Sequence, residues 1–223
     1  MKLLSIQVAL FLLNQISRPD LLMNTINEKI GNILDEMPNI LNIPIDVPVD
    51  VPIAQVKSSD KVFGLNVSRN RVDLFINPNY SREDSILDVY KSYKSIVEKF
   101  YKTVLNSFPA TRIGIVFTLF EETEEPIKRI YSKYLSETYS ANSVEADIRI
   151  NKQILSKGFV LNNLRNIQVA NIDVGSDEKK GVVIQLDTNN VIDQQKQLSS
   201  DIISSILTVA TAKLKPGEIK ELI

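Results

Sequence analysis

The longest amphipathic segment, residues 81–108, constrains the fold most, because its apolar face needs another layer to cover it. Ser81 and Asp84 predict a capping box at its start. Pro109 predicts its end, because the residue before a proline avoids the helical conformation. The apolar residues recur every three or four positions, which is the spacing of one helical face: Ile86, Tyr90, Tyr93, Val97, Phe100, Val104 and Phe108. This aromatic stripe predicts packing against a sheet or a second helix.

Strands are predicted on both sides of this helix along the chain. Residues 61–67 and 71–76 alternate apolar and polar side chains around a turn at residues 68–70, which predicts a hairpin. After the helix, residues 112–120 are nearly continuous in apolar side chains, which predicts a central strand buried on both faces. We therefore expect the helix to pack across this first sheet.

The apolar run at residues 3–13, preceded by Lys2, has two interpretations. A signal peptide would show a basic start and an apolar run of about 7–15 residues, but a cleavage site with small residues should then follow. Residues 14–19 do not supply one, so we favour a buried first strand. The run is too short for a transmembrane helix, and no other segment reaches the roughly 20 apolar residues that a span needs.

A helix is predicted to start at Ser17 or Asp20 and to end at Pro38. A proline-rich segment follows, in which every fourth residue is proline, so helix and central strand are both disfavoured. We favour a rigid surface crossover over a docking arm that a partner recognises. Calcium binding by Asp46 and Asp50 is disfavoured, because two carboxylates on a stiff segment make a poor site.

Four carboxylates, Glu121, Glu122, Glu124 and Glu125, follow the predicted central strand. As a functional cluster they could hold Mg²⁺ or share a proton. As a structural feature they would precede a short helix capped by Thr123, because acidic residues in a first turn favour the helix dipole. Pro126 tolerates that first turn. We favour the structural interpretation.

The C-terminal third of the chain has a different sequence pattern, in which short apolar segments alternate with polar ones. Residues 143–151, 159–174 and 182–186 read as hairpin-connected antiparallel strands with one wetted face. The charged segment 175–181 is predicted to be an exposed loop, and it lacks the spacing of a phosphate-binding loop. Residues 188–190 and 194–197 read as polar connection, and residues 198–214 as a last helix that covers the second sheet.

Composition excludes many kinds of chemistry. The chain has no cysteine, which rules out disulfides, thiolate catalysis and sulfur-ligated zinc and suits a reducing cytosol. It has no histidine, which removes Ser-His and Cys-His nucleophiles and the usual general base near neutral pH. The formal net charge of −1 gives no overall attraction to nucleic acid or an anionic membrane.

The predicted fold class is α+β, with two antiparallel sheet-and-helix subdomains. Residues 1–139 would form the first, with the long aromatic-striped helix packed on its sheet. Residues 140–223 would form the second, an antiparallel sheet closed by the last helix. A chain of 223 residues with 43% hydrophobic content can bury cores of this size.

This order of elements resembles a widely but sporadically distributed prokaryotic family of uncharacterised proteins of roughly this size. The resemblance covers most of the chain and includes the Arg-Ile-Gly-Ile strand motif at residues 112–115. It implies an N-terminal strand, a proline-containing crossover, a hairpin, a long aromatic helix and a second antiparallel sheet closed by a helix. It implies no activity and no catalytic residues.

Three functions follow as hypotheses. We favour a non-enzymatic, cytoplasmic interaction or assembly protein that self-associates, as a homodimer, through sheet edges or the aromatic helix. The second hypothesis is a small-ligand or nucleotide sensor with a pocket between the subdomains, where polar contacts would come from Arg112, Tyr131, Tyr134 or Arg149. The third is a Mg²⁺-dependent enzyme that uses residues 121–125.

The favoured hypothesis carries no catalytic residue, no metal ligand and no cofactor. The expected partners are a second copy of the chain or another protein, and a membrane is not expected. Nucleic acid is disfavoured as a partner, because the aromatic residues lie at helical core spacing and do not alternate with basic residues on a strand.

Overall fold

The computed structural model describes residues 1–41, 44, 46–79, 85–135, 143–174, 177–192 and 196–222. Within these residues, five helices and a nine-stranded antiparallel sheet establish the predicted α+β class. In chain order the elements are β1 (Lys2–Leu12), α1 (Pro19–Ile30), β2 (Asn39–Ile40), β3 (Ala54–Lys57), β4 (Phe63–Val67), β5 (Arg71–Ile76), α2 (Ile86–Ser107), β6 (Ala110–Glu122), α3 (Pro126–Tyr134), β7 (Asp147–Ser156), β8 (Phe159–Val174), β9 (Asp177–Asn190), α4 (Ser200–Ala212) and α5 (Pro216–Lys220).

All the strands belong to one sheet, in the order β2-β3-β4-β5-β1-β6-β9-β8-β7. Two separate sheets were predicted from the sequence. The structure has one, because β6 and β9 pair over nine residue pairs, from Gly114 with Asn189 to Glu122 with Gly181. The expected boundary between residues 139 and 140 lies outside the described residues. The apolar run near the N-terminus forms β1, next to β6 in the middle of the sheet.

The same succession of elements occurs twice along the chain. The first half runs β1-α1-β3-β4-β5-α2 and the second runs β6-α3-β7-β8-β9-α4, with the small β2 as an addition to the first. The sheet order repeats this relationship on either side of the β1–β6 pair, since β5, β4 and β3 lie beyond β1 as β9, β8 and β7 lie beyond β6. The two central strands therefore join two similarly wound halves into one sheet.

The helices cover one face of this sheet. Alternate side chains of a strand point to opposite faces, and on β6 the residues Ile113, Ile115, Phe117 and Leu119 are fully buried. The ring of Tyr90 on α2 packs edge-on against Phe117 on this face, with centroids 5.6 Å apart. Helix α1 packs on α2, β3 and β4, α4 packs on β6 and β9, and α3 packs on β8 and β9.

Helix α2 begins at Ile86, and its N-cap lies four residues after the predicted cap Ser81. Its N-cap is Ser85, whose side-chain oxygen accepts a hydrogen bond from the backbone N–H of Asp88 at 3.2 Å. The predicted cap residues Ser81 and Asp84 lie outside the described residues. Phe108 follows the last turn with extended backbone, directly before Pro109. No helix within the described ranges is long and apolar enough to cross a membrane.

Helix α1 ends at Ile30, well before the predicted stop at Pro38. Gly31 follows it with φ of 104°, a left-handed conformation that glycine adopts without the steric cost of a Cβ. The N–H groups of Gly31 and Asn32 donate to the carbonyl oxygens of Glu28 and Asn27, which satisfies the last turn of the helix. The glycine, and not the proline, sets the end of this helix.

The described part of the proline-rich segment lies on the surface beside the β4–β5 turn. The guanidinium of Arg69 donates to the carbonyl oxygens of Val47 and Pro44, at 3.1 and 2.7 Å. The Ser68 hydroxyl donates to the carbonyl oxygen of Asp50 at 2.8 Å. The hairpin turn thus holds the crossover through backbone carbonyls. Residues 42, 43 and 45 of this segment lie outside the described residues.

The charged segment that was predicted to be a loop is largely strand. Residues 177–181 open β9 and pair with the end of β8, from Asp177 with Val174 to Gly181 with Ala170. Lys179 pairs with the Glu122 carboxylate at 2.7 Å, and Asn171 donates to Glu178 at 2.8 Å. Cross-strand pairs such as these stabilise charged residues within exposed strands.

Candidate functional site

The four carboxylates after β6 do not converge on one point. The Glu121 carboxylate lies 3.3 Å from the Arg129 guanidinium, Glu122 pairs with Lys179, and Glu125 lies 3.1 Å from Lys128. No group of three or more acidic side chains suited to a metal ion occurs among the described residues. A basic side chain neighbours each of these three carboxylates. The predicted Thr123 cap is wrong, because Glu125 is the N-cap of α3, no side chain caps the helix, and its first turn holds no acidic residue.

The four polar side chains proposed for a pocket lie in three different places. Arg112 lies on the sheet face opposite the helices, with its guanidinium 4.9 Å from the centre of the Phe11 ring. Arg149 lies on the same face, on the outermost strand β7. The Tyr131 hydroxyl lies 3.1 Å from that of Ser143. The Tyr134 side chain lines a cavity beneath the helices.

The sheet face opposite the helices carries a polar network. Asp73 accepts hydrogen bonds from Gln7 at 2.8 Å and from Arg71 at 2.6 Å. The Arg71 and Arg112 guanidinium groups both lie 4.9 Å from the centre of the Phe11 ring. The Arg71–Asp73 ion pair lies on this face.

The outermost strand β7 is the most accessible long element of the sheet. Among the described strands it pairs only with β8, over ten residue pairs without a register shift. Seven of its ten residues are exposed, and Leu155 is 75% exposed. Its sequence contains neither proline nor glycine. An edge strand of this kind offers a row of backbone N–H and C=O groups for pairing with another strand.

The opposite edge of the sheet differs sharply from β7. It is formed by β2, which has only two residues, Asn39 and Ile40. Pro38 precedes it and Pro44 follows shortly after. Short edge strands and nearby prolines are both features that limit pairing with another chain. The sheet therefore has one long accessible edge and one short blocked edge.

A cavity of about 420 Å³ lies on the helix-covered side of β7, β8 and β9, beneath α3, α4 and α5. Three basic side chains and one acidic side chain line it: Lys152, Arg165, Lys213 and Glu218. Its apolar wall consists of Ile150, Ile154, Leu186 and Val209, and Tyr134 and Asn163 add polar groups. The cavity combines an apolar wall with an excess of positive charge.

Lys213, which directly follows α4, reaches the floor of this cavity. Its ammonium donates to the hydroxyl of Thr188 at 2.7 Å, and that hydroxyl donates to the side-chain oxygen of Asn163 at 3.2 Å. Thr188 is only 1% exposed. Burial lowers the pKa of Lys213 to about 8; the Asp187 carboxylate opposes this shift, and the Arg165 guanidinium adds to it.

Arg165 enters the same cavity from β8. Its guanidinium donates to the Tyr134 hydroxyl at 3.3 Å, and that hydroxyl donates to the carbonyl oxygen of Leu222. Sequence reasoning singled out neither Arg165 nor Lys213. The available signal was weak: Arg165 occupies an inward position of a strand whose other inward positions include Leu161, Ile167 and Val169. A charged residue at such a position has to find a polar partner.

Comparisons with known proteins add little. No family model matches the chain, and no curated protein matches it. Among solved structures, a chain described as "Methanococcus jannaschii TBP" is similar, with 13% sequence identity over 96% of this chain and 97% of that chain. The TM-score of that superposition is 0.25, which is too low for the likeness to inform the fold or the function.

Proposed function

We propose that this chain is a cytoplasmic, non-enzymatic interaction protein that self-associates as a homodimer through the edge strand β7. The observation that carries the proposal is the contrast between the two sheet edges. Strand β7 is long, exposed and regular, whereas β2 has two residues and lies between prolines. Pairing of an added strand with an exposed sheet edge is a common mode of protein recognition.

A second copy fits this edge in an antiparallel register centred on Asn151. When two copies of one strand pair antiparallel about a two-fold axis, the residue numbers of every facing pair have the same sum. With Asn151 opposite itself, Arg149 faces Gln153, Asp147 faces Leu155, and Ile150 faces Lys152. No like charges meet, and Ile148 faces Ile154 on the helix-covered side. The strand is thus self-complementary over nine residues, 147–155.

The aromatic helix is a weaker candidate for the interface. Its aromatic residues Tyr90, Phe100 and Tyr101 are each less than 5% exposed, because α2 packs against β1, β5, α1 and α4. They already serve the core of the monomer and are not available to a partner without unfolding. Self-association through a sheet edge is therefore the form of the hypothesis that the geometry favours.

The first experiment uses the lack of native cysteine. In the proposed register the Cβ atoms of the two Asn151 residues lie about 4.5–5.5 Å apart, close to the separation that a disulfide needs. We expect Asn151→Cys to form a covalent dimer under mild oxidation, and Lys99→Cys, on the exposed face of α2, to remain monomeric. Equal cross-linking of the two variants would contradict the proposed interface.

The second experiment measures the dimer itself, by light scattering over a concentration series. Leu155 faces Asp147 of the other copy in this register, so Leu155→Asp places two like-charge pairs in the dimer. We expect it to weaken dimerisation about tenfold. Leu155→Lys creates opposite-charge pairs and should preserve the dimer, as should Leu21→Asp on α1. A wild-type protein that is monomeric at every concentration would refute the proposal.

A further inference from the structure

We propose that the cavity beneath α3, α4 and α5 is a binding site for a small organic anion with an apolar portion. The acidic head, a carboxylate or a phosphate, would lie between Lys213 and Arg165. The apolar portion would lie against Ile150, Ile154 and Val209. The inference does not require self-association through β7, although Ile150, Lys152 and Ile154 of that strand line the cavity.

The arrangement of charge in the cavity favours an anionic ligand. Lys213 and Arg165 approach the same cavity from α4 and β8, and neither forms an ion pair with an acidic side chain among the described residues. Two cationic groups that lie in the same partly buried cavity repel each other and lose hydration. A bound anion removes both penalties. Glu218, the acidic residue in the lining, lies on the exposed rim on α5. The Asp187 carboxylate, which also acts on Lys213, lies outside the lining and forms no ion pair with it among the described residues.

Both cationic groups are held in place by hydrogen bonds. The Lys213 ammonium is fixed by Thr188, which is itself fixed by Asn163. The Arg165 guanidinium is fixed by the Tyr134 hydroxyl, which is in turn anchored to the carbonyl oxygen of Leu222. Within the described part of the chain, each cation therefore has one neutral hydrogen-bond partner that orients it and retains further N–H donors for a ligand. Preorganised donors of this kind lower the entropic cost of binding.

The volume and the lining of the cavity indicate the size and chemical character of the ligand. A volume of about 420 Å³ is within the range of small-molecule sites. Isoleucine and valine side chains supply an apolar wall opposite the basic groups, which a bare inorganic ion would leave unfilled. The lining thus matches a molecule with one acidic head and a short hydrocarbon portion, and it does not match a cation or a large polyanion.

The test compares three probes by thermal shift: hexanoate, inorganic phosphate and uncharged 1-hexanol. Binding to the folded state alone raises the Tm, and a tenfold excess over the Kd should give roughly 3–5 °C for a chain of this size. We expect this rise with hexanoate or phosphate, and a smaller one with hexanol. A larger response to hexanoate identifies a carboxylate with an apolar chain, and a larger response to phosphate identifies a phosphate head.

The matched variants are Arg165→Gln and Lys213→Met, with Lys99→Met on α2 as the control. The first two should abolish the response to the anion and the control should keep it. If either cavity variant fails to fold, amide chemical shifts of the wild type during the same titration decide, because changes should concentrate at residues 150–154 and 209–213. No response to either anion, an equal response to hexanol, or shifts confined to another region would overturn the proposal.

Discussion

The Asn190 side chain completes the hydrogen bonding of β6 where the β6–β9 pairing ends. Its carbonyl oxygen accepts from the backbone N–H of Ile113 at 2.8 Å, and its amide nitrogen donates to the carbonyl oxygen of Thr111 at 2.9 Å. Asn190 is fully buried. One amide thus supplies both a donor and an acceptor to two buried backbone groups, in place of the backbone of a neighbouring strand.

Replacing this amide should therefore destabilise the fold. In Asn190→Ala, the buried N–H of Ile113 and the carbonyl of Thr111 both lose a partner, at a cost of about 1–3 kcal/mol for each unsatisfied group. We expect the free energy of unfolding, measured by urea denaturation, to fall by roughly 2–5 kcal/mol. Asn171→Ala, which removes an exposed amide that donates to Glu178, should change it by less than about 0.5 kcal/mol. Similar losses in the two variants would disprove this role for Asn190.

Gly181 in β9 is required by close packing against β6. A Cβ at this position would lie 2.2 Å from the carbonyl oxygen of Glu121 and 2.6 Å from the ring of Phe120. The backbone cannot move aside as a flexible side chain can, so Gly181→Ala should lower the free energy of unfolding by about 1–3 kcal/mol. Gly217→Ala is the control, because a Cβ there meets nothing within 4 Å. If Gly181→Ala left the free energy of unfolding unchanged, β6 and β9 would be able to move apart at this point without cost, and the prediction would be wrong.

The lowered pKa of Lys213 predicts a rise in stability with pH. Its pKa is about 8 in the folded chain, against an ordinary value of 10.5. Between these values the unfolded chain binds the proton and the folded chain does not, so the free energy of unfolding increases with pH. From pH 7 to 9.5 we expect this group to contribute an increase of about 2 kcal/mol.

Lys213→Met should remove this dependence, and Lys99→Met should retain it; both are measured by urea denaturation at several pH values. The groups facing Lys213 from other elements are Arg165, Asp187, Lys152, Tyr134 and Glu218. Tyr90, whose pKa burial raises to about 12, opposes the trend only above pH 10, where the unfolded chain loses the proton first. An identical pH profile for wild type and Lys213→Met would contradict the prediction.

The separated carboxylates after β6 predict that Mg²⁺ does not stabilise the protein. Because Glu121 and Glu125 pair with different basic side chains, the Tm should change by less than about 1 °C on addition of millimolar Mg²⁺. The double variant Glu121→Gln plus Glu125→Gln should respond as the wild type does. A Mg²⁺-dependent rise in Tm that this double variant loses would support the enzyme hypothesis.

Local patterns in the sequence predicted elements well where one periodicity dominated. The alternation at residues 159–174 matches the bounds of β8, and the apolar run at residues 112–120 lies within β6. Ends were less predictable. Gly31 stops α1 seven residues before Pro38, because a left-handed glycine ends a helix as effectively as a proline.

Two predictions were wrong because polar and charged residues were taken to indicate a loop. Residues 177–181 are charged and residues 188–190 are polar, yet both belong to β9. The first group is stabilised by cross-strand charge pairs, and the second is buried with its hydrogen bonds satisfied by β6 and by Lys213. Such partners lie far away along the chain, so a local pattern cannot reveal them. The basic cavity escaped prediction for the same reason, since α4 and β8 bring its cations together only in the fold.

The unequal sheet edges set the number of copies that strand pairing can recruit. A molecule with two accessible edges could add neighbours at both ends and grow into an open fibre. This molecule offers ten residues at β7 and two, bordered by proline, at β2, so it is effectively monovalent for this kind of contact. In the proposed two-fold symmetric dimer, each copy uses its one accessible edge. No accessible edge remains for a third copy, so assembly by strand pairing stops at the dimer.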